Sequence, residues 1–178
     1  TSKSIEGSGL PSDYKKAIAE YIWNGFDAGA STINIDFSAN SIGTLESFSI
    51  SDNGSGISFD NISDTFGNFM VSLKANSFSE TGFVKGKKGK GRYSFSTFCN
   101  KATWSTIFKT KEDKFLEYNI QIKKESSQDF ETFDRVISKE QKTGTKVIFE
   151  GFTEIYGDLL DNEEFEKFLA NEFGWFLY

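Results

Sequence analysis

The chain has 178 residues, a formal net charge of −6 and an unusually large supply of 20 phenylalanines. This length suits one domain with a buried core, and the negative charge disfavours nucleic-acid binding through bulk electrostatics. The single cysteine excludes an internal disulfide, and the absence of histidine leaves carboxylates, amides, lysines, hydroxyls or an oxygen-bound metal to do any chemistry.

The hydropathy pattern predicts a soluble, cytoplasmic chain. No apolar run approaches the length needed to cross a bilayer, and the first residues lack a secretory signal pattern. We therefore expect a single domain over residues 1–178, with 1–10 loose and no membrane as a partner. Because the sequence begins at Thr1 rather than Met, we also expect a fragment of a longer protein that continues into further C-terminal domains.

The first predicted element is an amphipathic helix that begins at Pro11-Ser12-Asp13 and stops at Gly29. Glu20, Asn24 and Asp27 follow one another at intervals of four and three, which aligns them on one stripe of the helix. Such a stripe is usually the solvated side of a helix, although an acid, an amide and an acid in line also suit a magnesium site. The apolar positions on the opposite side are Tyr14, Ile18, Tyr21, Ile22 and Gly25.

Two strands with alternating apolar residues are predicted next, at 32–38 and 45–51. Asp52-Asn53-Gly54-Ser55-Gly56 breaks the second strand. Its composition is typical of a hairpin turn. The two glycines would also let the backbone approach a flat ligand, and Asp52 could accept a hydrogen bond from an amine such as that of adenine. The weaker pattern of 58–70 predicts a helix.

Residues 72–91 are rich in Lys, Gly, Ser and Asn, which predicts a mobile loop. The loop ends in Gly86-Lys87-Lys88-Gly89-Lys90-Gly91, immediately before a predicted helix. Backbone N–H groups at such a helix start, together with the nearby cations, would attract phosphate. A flexible, solvated basic loop is the alternative. The segment is neither a P-loop nor a Rossmann fingerprint. The cations are Lys87, Lys88, Lys90 and Arg92.

The remaining sequence predicts a helix from Gly91 through Asn100, then four strands and a closing helix over 161–177. The four strands are expected at 101–109, 115–123, 131–138 and 145–150. The closing helix has acids in its first turn and places Phe165, Phe168, Leu169 and Phe173 inward. This order of elements predicts an α+β two-layer sandwich, with helices packed on one face of a mainly antiparallel, mixed sheet.

Taken together and in this order, the polar segments resemble the motifs of the GHKL ATPases, the family of gyrase B, the ninety-kilodalton heat-shock chaperone, histidine-kinase catalytic domains, MutL and the MORC proteins. Glu20, Asn24, Asp27 and Ala28 match Glu-x-x-x-Asn-x-x-Asp-Ala. Asp52, Gly54 and Gly56 match Asp-x-Gly-x-Gly, and Gly86, Gly89 and Gly91 match Gly-x-x-Gly-x-Gly.

The resemblance extends over residues 12–175, nearly the whole chain. Gly144-Thr145 fits the family's late Gly-Thr before a strand. Gly29-Ala30-Ser31 is most similar to the MutL and MORC branch, and Tyr93-Ser94 to the chaperone branch. The resemblance implies the Bergerat fold, in which 72–91 would be the ATP lid.

Residue roles are also implied by the resemblance. Asn24 would coordinate Mg²⁺, and Glu20 would deprotonate the water that attacks the γ-phosphate. Asp52 would accept from the adenine amine, and Thr145 would support it through its hydroxyl or a water. Asp27 would lie at the mouth of the pocket. The other implied ATP-binding positions are Gly54, Gly56, Ile57, Lys74, Gly86, Lys87, Lys88, Gly89, Lys90, Gly91 and Arg92.

The implied function is Mg²⁺-dependent binding and slow hydrolysis of ATP to ADP and phosphate. ATP would close the lid, bring two copies together as a homodimer and change the state of an attached domain. Nucleic acid or a client protein would be engaged through domains beyond this chain. The family's hydrolysis usually needs a lysine from a following domain, so this fragment is expected to turn ATP over poorly. The alternatives are a nucleotide-sensing or protein-interaction module without useful hydrolysis, and a protein-kinase catalytic domain of the histidine-kinase type.

Overall fold

A computed structural model describes residues 13–62, 66, 91–127 and 129–176. The six strands are β1 (Ile33–Ala39), β2 (Leu45–Asp52), β3 (Cys99–Lys109), β4 (Phe115–Lys123), β5 (Glu131–Ile137) and β6 (Gly144–Phe152). The α-helices are α1 (Tyr14–Asp27), α2 (Gly157–Leu160) and α3 (Glu163–Phe173). Short 3-10 helices cover Phe59–Asn61, Gly91–Thr97, Lys124–Ser126 and Gly174–Phe176.

The strands form one sheet in the order β1-β2-β6-β3-β4-β5. Each pairing among the described strands is antiparallel, where the sequence had allowed for a mixed sheet. The last strand of the chain, β6, lies between β2 and β3. This insertion brings Thr145 on β6 directly opposite Asp52 on β2. The predicted α+β sandwich is confirmed.

Helix α1 forms where the sequence predicted it. The Asp13 side chain caps the helix by accepting a hydrogen bond of 2.9 Å from the backbone N–H of Lys15. Ile18, Tyr21 and Ile22 are buried against the sheet, as their spacing indicated. The chain then turns at Gly29, whose φ of +74° is accessible to glycine without strain.

The core lies between the helices and one face of the sheet. One face of the sheet is buried and the other is exposed, as strand β6 shows. Val147 and Phe149 are buried, while the alternate residues Lys146, Ile148 and Glu150 are exposed. The Phe149 ring packs against three other aromatic rings. The distances between ring centroids are 4.9 Å to Phe48 and 5.0 Å to each of Phe98 and Tyr21. The phenylalanine-rich composition therefore fills this core, which also encloses the fully buried Cys99.

The helix predicted from Gly91 through Asn100 is wrong in type and in length. The segment Gly91–Thr97 is a 3-10 helix, and β3 already begins at Cys99. Tyr93 to Ser96 are four consecutive buried residues, because the segment is enclosed between α1 and the sheet. The Phe98 carbonyl then accepts a hydrogen bond of 2.8 Å from the Thr153 N–H. This bond fixes the chain beside β6, so the strand starts before the predicted residue 101.

The predicted closing helix over 161–177 is also shorter than expected. It begins after Asn162, whose side chain accepts from the Phe165 N–H at 2.8 Å, and it ends at Phe173. Phe165 and Phe173 are buried and Phe168 and Leu169 pack partly against the core, as predicted. No helix in the described ranges is long and apolar enough to cross a membrane.

Three other predictions fall wholly or partly outside the described residues. Of the helix predicted at 58–70, the structure describes the 3-10 helix Phe59–Asn61, together with residues 62 and 66. The segment 1–10 and the lid at 72–91, except for Gly91, lie outside the described part of the chain.

Candidate functional site

The polar stripe of α1 forms one end of the candidate site, which we call the stripe end: Glu20, Asn24, Asp27 and Gly91. Glu20 is half-buried, and Asn24 and Asp27 are exposed. A Cβ atom at Gly91 would collide with Glu20 Oε2, so the carboxylate lies directly against the backbone where the 3-10 helix begins. The polar stripe of α1 and the last glycine of the basic, glycine-rich segment therefore meet here.

The Glu20 carboxyl has an altered proton affinity. Burial raises the pKa of Glu20, and the negative charges of Asp27 and Glu172 raise it further. Glu172 comes from α3, where it accepts a hydrogen bond of 3.2 Å from the Trp23 indole N–H. Nothing in the sequence pattern connects Glu172 to α1, so this acid was not predicted to lie near the site.

The segment after β2 forms the second end, which we call the loop end: Asp52, Gly54, Gly56, Ile57 and Thr145. Asp52 is half-buried, and its Oδ1 accepts a hydrogen bond of 2.8 Å from the Gly54 N–H. Burial raises the pKa of Asp52, while backbone N–H groups of Gly54 and Thr145 oppose the increase. The result is a sheltered carboxylate at a strand end, able to accept from a ligand.

The loop end packs against the last turn of α1. A Cβ at Gly54 would lie 2.7 Å from the Ala28 Cβ, and the Ser55 N–H donates to the Ala28 carbonyl at 2.9 Å. A Cβ at Gly25 would lie 3.2 Å from the Asp52 Cβ. Gly25 therefore lets α1 approach Asp52 closely. A glycine inside a helix is unfavourable, which is the signal that could have predicted this role.

Gly56 and Ile57 continue the loop end along β3. Gly56 has a φ of +73°, and a Cβ at this position would collide with the Ile107 carbonyl oxygen. The Ile57 N–H donates to Thr106 Oγ1 at 2.9 Å, and its carbonyl accepts from the Tyr118 hydroxyl at 2.9 Å. The backbone of Ile57 is thus held from both sides by two buried side chains.

Thr145 lies between Asp52 and Thr106 in the sheet. It pairs with Asp52 across β2 and β6, and with Thr106 across β6 and β3. Its hydroxyl lies 3.0 Å from the Thr106 hydroxyl, while its backbone N–H is the group that favours a charged Asp52. The support of Asp52 through the Thr145 hydroxyl or a water stays a prediction.

Asn53 was not predicted to have a role, yet it ties the loop end to the turn after α1. Its Oδ1 accepts from the backbone N–H groups of Ser31 and Thr32, both at 2.9 Å. Its Nδ2 donates to Ser31 Oγ at 2.9 Å. Asn-Gly is common in turns, so the sequence does not indicate these long-range hydrogen bonds.

Among the predicted cations, Arg92 is the one that the structure describes. Its guanidinium carbon lies 4.7 Å from the centroid of the Phe66 ring, and burial lowers the pKa of Arg92 to about 10. Its role in phosphate binding stays a prediction. The other predicted positions in this region, Lys74, Gly86, Lys87, Lys88, Gly89 and Lys90, lie outside the described residues.

Helix α1 joins the two ends. At 1.5 Å per residue, Glu20 and Ala28 are separated by about 12 Å along the helix axis. The loop end offers a carboxylate acceptor beside an apolar, backbone-lined surface. The stripe end offers a half-buried carboxylate and an exposed amide. This arrangement offers an acceptor for an amine at one end and oxygen ligands for a cation at the other.

A sequence model of the histidine kinase-, DNA gyrase B- and HSP90-like ATPase family matches residues 12–149. The match covers well over half of the chain and contains the residues of both ends of the site. The chain belongs to this family. It is accordingly an ATP-binding module of the ATPase type, and the expected superfamily is confirmed. The more specific resemblance to the MutL, MORC and chaperone branches stays a prediction. No curated protein matches the chain.

Proposed function

We propose that this chain binds ATP together with Mg²⁺ and hydrolyses it slowly, so that nucleotide binding changes the state of an attached domain and favours association of two copies. The observation that carries the proposal is a pair of contacts along α1: Gly91 lies against Glu20, and Gly54 lies against Ala28. These contacts bring the Asp-x-Gly-x-Gly motif, and the last glycine of the Gly-x-x-Gly-x-Gly motif, to the helix that carries Glu20 and Asn24.

The base of ATP would bind at the loop end. Asp52 would accept a hydrogen bond from the exocyclic amine, and its partial burial makes such a bond stronger than at an exposed site. The backbone of Gly56 and Ile57 would lie along the base. Because a Cβ at Gly56 has no room beside Ile107, this surface keeps its shape only with glycine.

The phosphates would bind at the stripe end. The exposed Asn24 provides a neutral amide oxygen, which fits Mg²⁺ because that ion takes few protein ligands and keeps phosphate oxygens and waters. When bound, Mg²⁺ would supply charge neutralisation for the triphosphate. Asn24 would orient the triphosphate, and Asp27 would lie at the mouth of the pocket.

Glu20 would act as the general base. A carboxyl group removes a proton from water more readily when its proton affinity is raised, and burial together with Asp27 and Glu172 raises the pKa of Glu20. Its contact with Gly91 would hold the carboxylate on the side of the helix that carries Asn24. Turnover is expected to be low in this chain by itself.

The test combines calorimetric titration with a phosphate-release assay. Wild-type protein should bind ATP more tightly with Mg²⁺ than without it, and should release phosphate slowly. Glu20→Ala should keep ATP binding and lose at least about a hundredfold in turnover. Glu166→Ala, at an exposed position of α3, is the matched control.

Each result of this test has a defined meaning. Unchanged turnover in Glu20→Ala would show that Glu20 is not the base. Tight ATP binding without phosphate release would favour a nucleotide sensor. Sedimentation with a non-hydrolysable ATP analogue tests the association of two copies, which should require the nucleotide.

A further inference from the structure

Four polar side chains form one row across the sheet. Asp52 on β2 is paired with Thr145 on β6, which is paired with Thr106 on β3, which is paired with Tyr118 on β4. Thr106 and Tyr118 are almost completely buried, and Thr145 nearly so. Asp52 is the half-buried end of this row. Polar side chains buried at this depth are normally there to complete specific hydrogen bonds.

The Thr106 hydroxyl has three partners. It accepts from the Ile57 N–H at 2.9 Å, it donates to the Gly144 carbonyl at 3.2 Å, and it lies 3.0 Å from Thr145 Oγ1. A hydroxyl has one hydrogen and two lone pairs. Either hydroxyl could donate in the Thr106–Thr145 contact, but all three contacts are satisfied at once only when Thr106 donates to Gly144 and Thr145 donates to Thr106.

This assignment determines what Thr145 can offer to a ligand. With its hydrogen used by Thr106, the Thr145 oxygen has only lone pairs left for other partners. Its neighbour in the row on the other side is the Asp52 carboxylate, which is also an acceptor. Two adjacent acceptors match an amino group, which carries two hydrogens, and they disfavour a carbonyl oxygen at the same place.

Ile57 is positioned by the same row. Thr106 holds its N–H and Tyr118 holds its carbonyl, so the backbone polar groups of Ile57 are engaged with protein. What the residue presents to a bound base is then apolar surface. Base selection is left to the acceptors at Asp52 and Thr145.

We propose that Thr106 is a positioning residue that sets the base specificity of the site, by holding the Ile57 backbone and by turning the hydrogen of Thr145 away from the base. The inference rests on the proposed ATP function and deepens it. What it adds to ATP binding is that the preference for a 6-amino over a 6-oxo group depends on Thr106. A 6-oxo purine nucleotide would place its oxygen against two acceptors and bind more weakly.

The experiment compares the dissociation constants of ATP and of inosine triphosphate, both with Mg²⁺, by calorimetric titration. These nucleotides share the triphosphate and differ in the 6-amino or 6-oxo group. The measured quantity is the ratio of the two constants, because damage to folding or to the phosphate site weakens both nucleotides equally. Wild-type protein should prefer ATP.

Thr106→Val removes the hydroxyl and keeps the shape of the side chain. The Thr145 hydrogen is then free to turn toward the base, so the preference for ATP should fall by about tenfold. Thr106→Ser restores a hydroxyl and should restore the preference. Thr103→Val is the matched control, since Thr103 lies on β3, with its Oγ1 accepting from Gln121 Nε2 at 3.2 Å.

Tyr118→Phe provides a second, milder variant. It frees the Ile57 carbonyl while keeping the ring, and it should weaken ATP binding a few-fold. If Thr106→Val keeps the wild-type ratio, or if wild-type protein binds both nucleotides equally well, the role of Thr106 is refuted while the ATP site stands. If wild-type protein binds neither nucleotide, the proposed function itself is wrong.

Discussion

The two ends of the site are built in different ways. At the loop end, Asp52, Ile57 and Thr145 are connected by hydrogen bonds to the sheet and to the loop itself. At the stripe end, the pKa of Glu20 is raised by burial and by the negative charges of Asp27 and Glu172. The loop end is therefore part of what holds the domain together, whereas at the stripe end a half-buried carboxylate lies near other negative charges.

This difference makes a clear prediction about mutants. At the loop end, crowding a glycine should lower stability, and removing the Asp52 carboxylate should lower ATP binding. Changes at the stripe end should alter turnover while stability stays the same or rises. The four substitutions below test that contrast, in order of decreasing expected effect.

Gly56→Ala should have the largest effect. The new Cβ would collide with the Ile107 carbonyl at a backbone φ of +73°, so we expect a loss of at least about 3 kcal/mol in the free energy of unfolding. Thermal unfolding should show a Tm lower by roughly 6–12 °C. Gly43→Ala is the control, because Gly43 has a φ of +83° with open space around its Cβ position. If Gly56→Ala lowers the free energy of unfolding by no more than Gly43→Ala does, the Ile107 carbonyl does not crowd this position.

Gly91→Ala should reduce turnover by about a hundredfold, because the new Cβ displaces the Glu20 carboxylate from its position. The displaced atom is the end of a flexible side chain, so the free energy of unfolding should change by less than about 1 kcal/mol. Phosphate release and thermal unfolding measure the two quantities. Gly174→Ala, where a Cβ meets nothing within 4 Å, is the control. Normal turnover in Gly91→Ala would show that Gly91 does not position Glu20 for catalysis.

Asp52→Asn should weaken ATP binding by about 10- to 100-fold, the range for a lost hydrogen bond to a charged group. The wild-type affinity should also depend on pH. Because burial raises the pKa of Asp52, ATP affinity should fall as the pH decreases through a value above the ordinary range for aspartate. Calorimetry across this range should show no such dependence in Asp52→Asn. Asp36→Asn, exposed on β1, should behave like wild type.

Glu20→Gln should have the smallest effect on stability, and a stabilising one, while its turnover falls as in Glu20→Ala. The pKa of Glu20 is raised in the folded state, so its protonated form favours folding, and this stability is lost as the pH rises through the folded pKa. The uncharged variant should therefore be more stable at pH 7, by less than about 1 kcal/mol because the partly exposed charge is screened.

The stabilisation by Glu20→Gln should disappear below the ordinary pKa of glutamate, where the wild-type carboxyl is protonated in both states. Thermal unfolding at neutral and acidic pH measures this trend. A destabilised variant at neutral pH would mean that Glu20 is a structural residue, and the contrast between the two ends would be lost.

The elements that the sequence predicted well are those with a local periodic pattern. Ile33, Ile35 and Phe37 alternate, and β1 forms over these residues with the same face packed on the core. The apolar side of α1 is likewise visible as a helical repeat. Such patterns report burial directly, because a residue's face follows from its position in the element.

The row from Asp52 to Tyr118 could not be predicted in this way. Thr106 and Thr145 are separated by 39 residues, and their contact depends on the insertion of β6 between β2 and β3. Likewise, Glu172 reaches the site only because α3 packs on α1 beside Trp23. These contacts follow from strand order and register, which a single sequence does not specify. The glycines were easier to find, because unusual backbone positions select that residue.

The buried sulfur of Cys99 has a consequence for handling the domain. Burial raises the pKa of this thiol to about 12, so almost none of it is thiolate at neutral pH, and thiolate is the form that oxidants and alkylating reagents attack. The chain has no other cysteine. A cysteine introduced at an exposed position would then accept a fluorescent or spin label selectively, with the native residue left in place.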